Sequence, residues 1–180
     1  MSATLEVVRQ LVAAGDVRVS EHGYDELSDD DIPVRDLLSG IDDATVVEDY
    51  PAFPKGPAVL VLQFDSSNRP VHVVWGIPKG FASPAVLVTA VSPRPRTMER
   101  QFHREAKMST RKRTKHVHEG KYVAEVDVVL LEDDTGWSPY LTVEDACRLD
   151  DVREALRRED ISAASRLARV FRLEPIAASH

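Results

Sequence analysis

Cysteine is nearly missing from this chain: Cys147 is the single one among 180 residues. One thiol cannot build an internal disulfide framework, and a cytosolic setting is expected. Cys147 stands in Asp145-Ala146-Cys147-Arg148-Leu149, a helical pattern in which a small packing residue is expected rather than a nucleophile. Long apolar runs are missing too. No stretch approaches the roughly 18 residues of a membrane span, and the N-terminus lacks the charged and apolar regions of a signal peptide, so no membrane partner is expected. Nor is there a glycine-rich phosphate loop, a cysteine pair, a His-Glu-x-x-His motif or a nucleophile elbow. No cofactor is expected. His116 and His118 alternate as strand residues do, but two histidines without a third ligand do not make a metal site, so no metal is expected either.

What is present is a soluble globular composition, 43% apolar and 29% charged, with a net charge of −7. That charge is unevenly spread. Residues 1–92 carry 6 basic and 14 acidic side chains, 93–121 carry 10 and 3, and 122–180 carry 7 and 13. Two acidic stretches flank a basic one. Inside the basic stretch, Met108-Ser109-Thr110-Arg111-Lys112-Arg113 looks like the opening of a separate small gene and echoes Met1-Ser2-Ala3-Thr4. The expected organisation is a first domain over 1–107 and a second over 108–180, with 108–121 as a basic linker. Pieces of this size fold as small units.

Hydrophobic spacing places the elements. Leu5, Val8, Leu11 and Val12 share one face of a helix stopped at Gly15, and Val17-Arg18-Val19 is a brief strand. Ser20 caps a second helix. Asp31 is expected to cap a third, with Pro33 in its first turn. From residue 44 the period is two, and strands are expected over 45–50, 58–64, 71–76 and 85–91. A polar helix is expected over 97–107. The second piece reads as a hairpin from Lys121 to Leu141 turning at 132–136. A helix capped by Thr142 follows, then another near 162–168 and a last strand at 170–173. The fold class is therefore α+β: helices packed on an antiparallel sheet, plus a smaller module of a β-hairpin and two helices.

Histidine chemistry remains. Cleaving RNA without a metal needs a base on the ribose 2′-hydroxyl and an acid on the leaving 5′-oxygen, and groups titrating near neutrality suit both roles. His22 at a helix start and His72 on a strand are the candidate catalytic pair. Lys55, Arg69 and Lys79, in loops flanking the sheet, are candidates for holding the phosphate. The bland alternatives are a wet-face strand residue for His72 and a helix-end residue bonded to backbone for His22.

Residues 16–97 resemble a family of small bacterial domains of unknown function allied to the RelE and BrnT toxins. The resemblance rests on Ser20-Glu21-His22-Gly23, Asp31-Ile32-Pro33-Val34-Arg35-Asp36-Leu37-Leu38, Val46-Val47-Glu48-Asp49-Tyr50-Pro51, Arg69-Pro70-Val71-His72-Val73-Val74 and Val88-Thr89-Ala90-Val91-Ser92-Pro93. It implies two helices on an antiparallel sheet, a messenger-ribonuclease activity, and functional histidines at His22 and His72. One departure bears on function. Where the family carries arginines after its histidine, this chain has Asp25, Glu26, Asp29, Asp30 and Asp31, which repel a phosphate backbone.

The basic stretch has two expected uses. Arg111, Lys112 and Arg113 either contact nucleic acid or bind the acidic residues 25–31 of the same molecule. The second piece resembles small companion proteins of toxin-like genes and, faintly, HicB-type antitoxins. Trp137 and Tyr140 are its expected anchors on the first piece, because aromatics dominate buried interface cores. The expectation as a whole is a fused toxin–antitoxin-type protein whose N-terminal endoribonuclease is held inactive by its C-terminal module. RNA is the expected partner besides that intramolecular contact, and homo-oligomers are left open. The alternatives are a non-catalytic interaction protein and a regulator that binds operator DNA through the basic stretch.

Overall fold

In the computed structural model, the described residues are 2–91, 109–133, 137 and 139–174. The Met108 motif, the cations between Arg94 and Lys107, the helix expected over 97–107 and the turn at 134–136 lie outside them. The elements run α1 (Ala3–Ala13), β1 (Val17–Ser20), α2 (Glu21–Asp29), α3 (Val34–Ser39), β2 (Thr45–Tyr50), β3 (Ala58–Phe64), β4 (Pro70–Gly76) and β5 (Ala85–Val91). After the undescribed stretch come β6 (Ser109–Glu119), β7 (Tyr122–Glu132), β8 (Tyr140–Thr142), α4 (Val143–Arg157), α5 (Ile161–Leu167) and β9 (Arg169–Arg172).

The nine strands of the described residues form one sheet in the order β2-β3-β4-β5-β1-β8-β7-β6, with β9 also on β7. Every pairing is antiparallel except β1 with β5. The fold is α+β, as the periodicities imply. Alternation decides its inner face: Val59, Val61, Val71, Val73 and Trp75 are buried in the first half, and Val117, Ala124, Val126, Val128 and Leu130 in the second. Leu5 and Val8 of α1 and Leu37 of α3 cover the first set. Ala146, Leu149, Val152 and Leu156 of α4 cover the second, and all join in one core cluster.

The halves meet through short strands. Arg18, Val19 and Ser20 of β1 stand opposite Thr142, Leu141 and Tyr140 of β8, and Glu21 N extends the ladder to Pro139 O at 2.8 Å. Sheet and core therefore continue from residues before position 92 into residues after 108, narrowest at this waist.

Two sequence expectations are corrected. Residues 109–119, expected as linker, are a full-length edge strand paired with β7 from Ser109↔Glu132 to Glu119↔Tyr122. The strand has no period of apolar residues because the inner face it shares with Val117 carries Arg113 and Lys115, which reach acids rather than a core. The cap of α3 is the second correction. Asp31 has φ 57 and does not cap, Pro33 occupies the N-cap position without a side-chain bond, and Asp150 of α4 accepts from Val34 N at 2.9 Å. A carboxylate from the second half thus satisfies a helix start in the first.

Candidate functional site

Helix α2 positions the site. Ser20 Oγ accepts from Gly23 N at 2.8 Å and donates to Val88 O at 2.6 Å, tying the helix start to β5. Gly23 permits that approach: a Cβ there would lie 2.9 Å from Val88 O. His22 therefore sits at the edge of β5 with its side chain 75% exposed and its Nε2 3.3 Å from Glu26 Oε1. The other oxygen of Glu26 accepts from Thr89 Oγ1 and, at 3.3 Å, from Ala90 N. His72 is half-buried on β4 between Leu62 of β3 and Val91 of β5. Thr89 and Val91 point to the same face, so Thr89 is the diagonal neighbour of His72, a separation of about 7–8 Å in such ladders. Glu26 and Thr89 thus link His22 to the strand that runs beside His72. Neither is a site candidate in the sequence, where Glu26 enters only as one of five acids, although the i, i+4 spacing of His22 and Glu26 on a helix is a usable signal.

The three cations proposed for phosphate lie elsewhere. Arg69 donates to Asp65 Oδ2 at 2.5 Å and to the carbonyls of Asp30 and Asp31 at 3.4 and 2.9 Å. That is the far end of α2, about 12 Å along the helix from His22. Burial pushes the Asp65 carboxyl up, but the bonds and charge of Arg69 outweigh it and hold the carboxyl below its usual range. Lys55 lies over the Trp137 ring at 5.2 Å, and burial lowers its pKa. Lys79 is exposed, with its backbone N bonded to Lys55 O at 2.9 Å.

The opposite flank of α2 faces the second half. Arg113 donates to Glu21 at 2.9 Å, and Lys115 lies 2.5 Å from Asp25 and 3.5 Å from Glu21. Arg157 bonds Asp31 at 2.6 Å and Glu119 at 2.8 Å. Arg153 reaches Ser28 Oγ, Asp150 at 3.2 Å and the Tyr24 hydroxyl at 3.3 Å. The Tyr24 ring lies between Lys115 and Arg153, at 5.6 and 5.8 Å. Its hydroxyl donates to Asp150 at 3.0 Å. Burial pushes both groups upward: the Tyr24 phenol, with the charge of Asp150 adding to it, and the Asp150 carboxyl, against the pull of its donors. Arg35 completes the clasp with a two-pronged bond to Asp151 at 2.6 and 2.8 Å, which raises its pKa. A polar cleft of about 220 Å³ runs between α2, β6 and α4.

Of the other candidates, Arg111 and Lys112 are exposed on β6, with no partner among the described residues. Trp137 stacks on Phe53, centroids 5.5 Å apart at 17°, and lies against Gly76. Tyr140 is fully buried beneath Arg18, 5.7 Å from its guanidinium, and its hydroxyl donates to Asp133 at 3.2 Å. Trp137 and Tyr140 therefore both touch side chains of the first half. Among the described residues no three His, Cys, Asp or Glu side chains converge as a metal site requires, and no helix is long and apolar enough to cross a membrane.

No curated protein and no solved structure matches the chain. Residues 19–92, from β1 through β5, match the family described as Domain of unknown function (DUF4258), and that segment contains both histidines, Glu26 and Thr89.

Proposed function

We infer that this chain is a fused toxin–antitoxin-type protein: a RelE-like, metal-independent endoribonuclease domain restrained by the half that follows it. The observation that carries the reading is the clasp. The second half grips the first as a dedicated partner does, through a buried carboxylate capping α3, an added strand at the β1 edge, and cations set against the acids of α2. Both histidines belong to the first half. His22 and His72 share the base and acid roles in transesterification of the RNA phosphodiester, for which no metal is needed. His22 itself is open, so the restraint acts on α2 and the β1 edge rather than as a plug over the imidazole. Tethering at an effective concentration on the order of millimolar keeps such a contact closed.

The test uses the full chain. Arg113→Glu with Lys115→Glu reverses the charge of the clasp against Glu21 and Asp25. This double variant is expected to shorten cellular RNA lifetimes and slow growth, and His22→Ala or His72→Ala added to it is expected to restore both. An opened variant that leaves RNA and growth unchanged ends the enzyme reading.

One observation favours a second reading, a non-catalytic interaction protein. The Arg69 guanidinium is spent on Asp65 and on the end of α2, and Asp25, Glu26, Asp29, Asp30 and Asp31 crowd the helix that carries His22. RNA binding rests on cations neutralising phosphates, so this surface suits a protein partner better. The same charge reversal then alters stability without any cleavage.

A further inference from the structure

We propose that Glu26 is the positioning residue of the His22–His72 pair, and that it sorts their roles: His22 takes the proton through Nδ1, and His72 gives one. The chemistry rests on the ribonuclease reading; the geometry does not.

Glu26 joins the imidazole of His22 to β5. One carboxylate oxygen lies 3.3 Å from His22 Nε2, while the other accepts from Thr89 Oγ1 and from Ala90 N. Anchored to β5 on two donors, the carboxylate cannot follow the imidazole; the imidazole must come to it. An ionised carboxylate only accepts hydrogen bonds, so the facing nitrogen must carry the proton. Neutral His22 is therefore held as the Nε2–H tautomer, leaving the Nδ1 lone pair toward solvent on a side chain that is 75% exposed. An exposed histidine without such a partner samples both tautomers and several rotamers, and a base must be presented in one geometry to act.

The step balances without a further reagent. Nδ1 of His22 accepts the ribose 2′-hydroxyl proton as the 2′-oxygen bonds to phosphorus. The bond from phosphorus to the 5′-oxygen breaks, and protonated His72 supplies the proton that this oxygen needs. Glu26 stabilises the imidazolium left on His22 and is itself unchanged.

The experiment reads the tautomer directly, by long-range nitrogen–proton correlation spectra of the full chain with nitrogen-15 histidine. Wild-type His22 is expected to show Nε2 protonated and Nδ1 bare at a pH where the ring is neutral, and Glu26→Ala is expected to show a mixture. Should Glu26→Ala fail to fold, Glu26→Gln replaces it: its carbonyl oxygen stays with the two β5 donors and its amide N–H faces His22 Nε2, so a shift of His22 toward the Nδ1–H tautomer is expected. A wild-type Nδ1–H tautomer, or a tautomer indifferent to residue 26, overturns the proposal. In the clasp-opened variant, Glu26→Ala is expected to lower kcat about 100-fold with KM unchanged. An unchanged kcat also overturns it. If no form cleaves RNA, the ribonuclease reading fails, while the tautomer spectra still decide whether Glu26 holds His22.

Discussion

The two flanks of helix α2 are built from the same few residue types and do opposite things with them. On one flank Glu21 and Asp25 meet Lys115 and Arg113, with Tyr24 and Asp150 buried beneath them. On the other, Glu26 meets His22 and the strand edge, and the imidazole stays in solvent. The first flank is gripped: Glu21 and Asp25 each have a cation from β6. The second keeps a mostly exposed imidazole that is held on one nitrogen only. Pairing gives adhesion, whereas a group with spare valence is what chemistry or binding needs. The lesson is that acidity along a helix does not by itself tell a glue from a site; the partners do.

That contrast can be broken at several points. Removing the buried carboxylate should cost most. Asp150→Ala strands Val34 N, the Tyr24 hydroxyl and Arg153 together, and a loss of about 3 kcal/mol is expected in urea unfolding. A loss below about 1 kcal/mol would show that the clasp does not hold the halves. The surface part of the clasp is weaker. A double-mutant cycle on Lys115→Ala and Asp25→Ala should return a coupling of about 1 kcal/mol that shrinks as salt is raised, because the pair is partly exposed. A coupling that ignores salt would place the attraction in packing instead.

Asp150 also gives a pH signature with a definite sign. Its folded pKa is raised by burial, so its contribution is full below the unfolded value of about 4 and is lost as pH rises through the folded value. The stability of the wild type relative to Asp150→Asn should therefore improve as pH falls from 7 toward 4. Asp65 carries the opposite sign. Its folded value is lowered, so its contribution is present above about pH 4 and lost below, and Asp65→Asn should flatten the acid limb of unfolding. Parallel curves for either variant and the wild type would refute that assignment. The smallest effect belongs to the other flank of α2. His22→Ala should change stability by less than about 0.5 kcal/mol, since the ring is mostly in solvent. A larger loss would mark His22 as structural.

The elements are readable wherever one side chain faces a core at a regular interval. Val59, Val61, Val71, Val73 and Trp75 announce β3 and β4 by period two, and Ser20 announces α2 by its cap. β6 escapes that reading because Arg113 and Lys115 occupy inward positions where apolar residues would be looked for, and their reason for being there is the acidic flank of α2, ninety residues earlier. The cap of α3 escapes for the same reason. Asp31-Ile32-Pro33 has the local form of a helix start, yet the accepting carboxylate comes from Asp150. At the site, His22 and His72 are conspicuous as residue types, but Thr89 is an unremarkable strand threonine until Glu26 reaches it.

Composition and spacing alone determined the α+β class, nearly every strand and helix boundary, and the split of charge along the chain. Each of these follows from forces acting between residues a few positions apart, or from solvent acting on one side chain at a time. The placement of β1 between β5 and β8, the division of α2 into a gripped flank and an open one, and the link from His22 through Glu26 to β5 were decided only by the tertiary structure. Hydrogen bonds and ion pairs between distant segments carry no periodic signal, since any acid can meet any base once the backbone has brought them within about 3 Å.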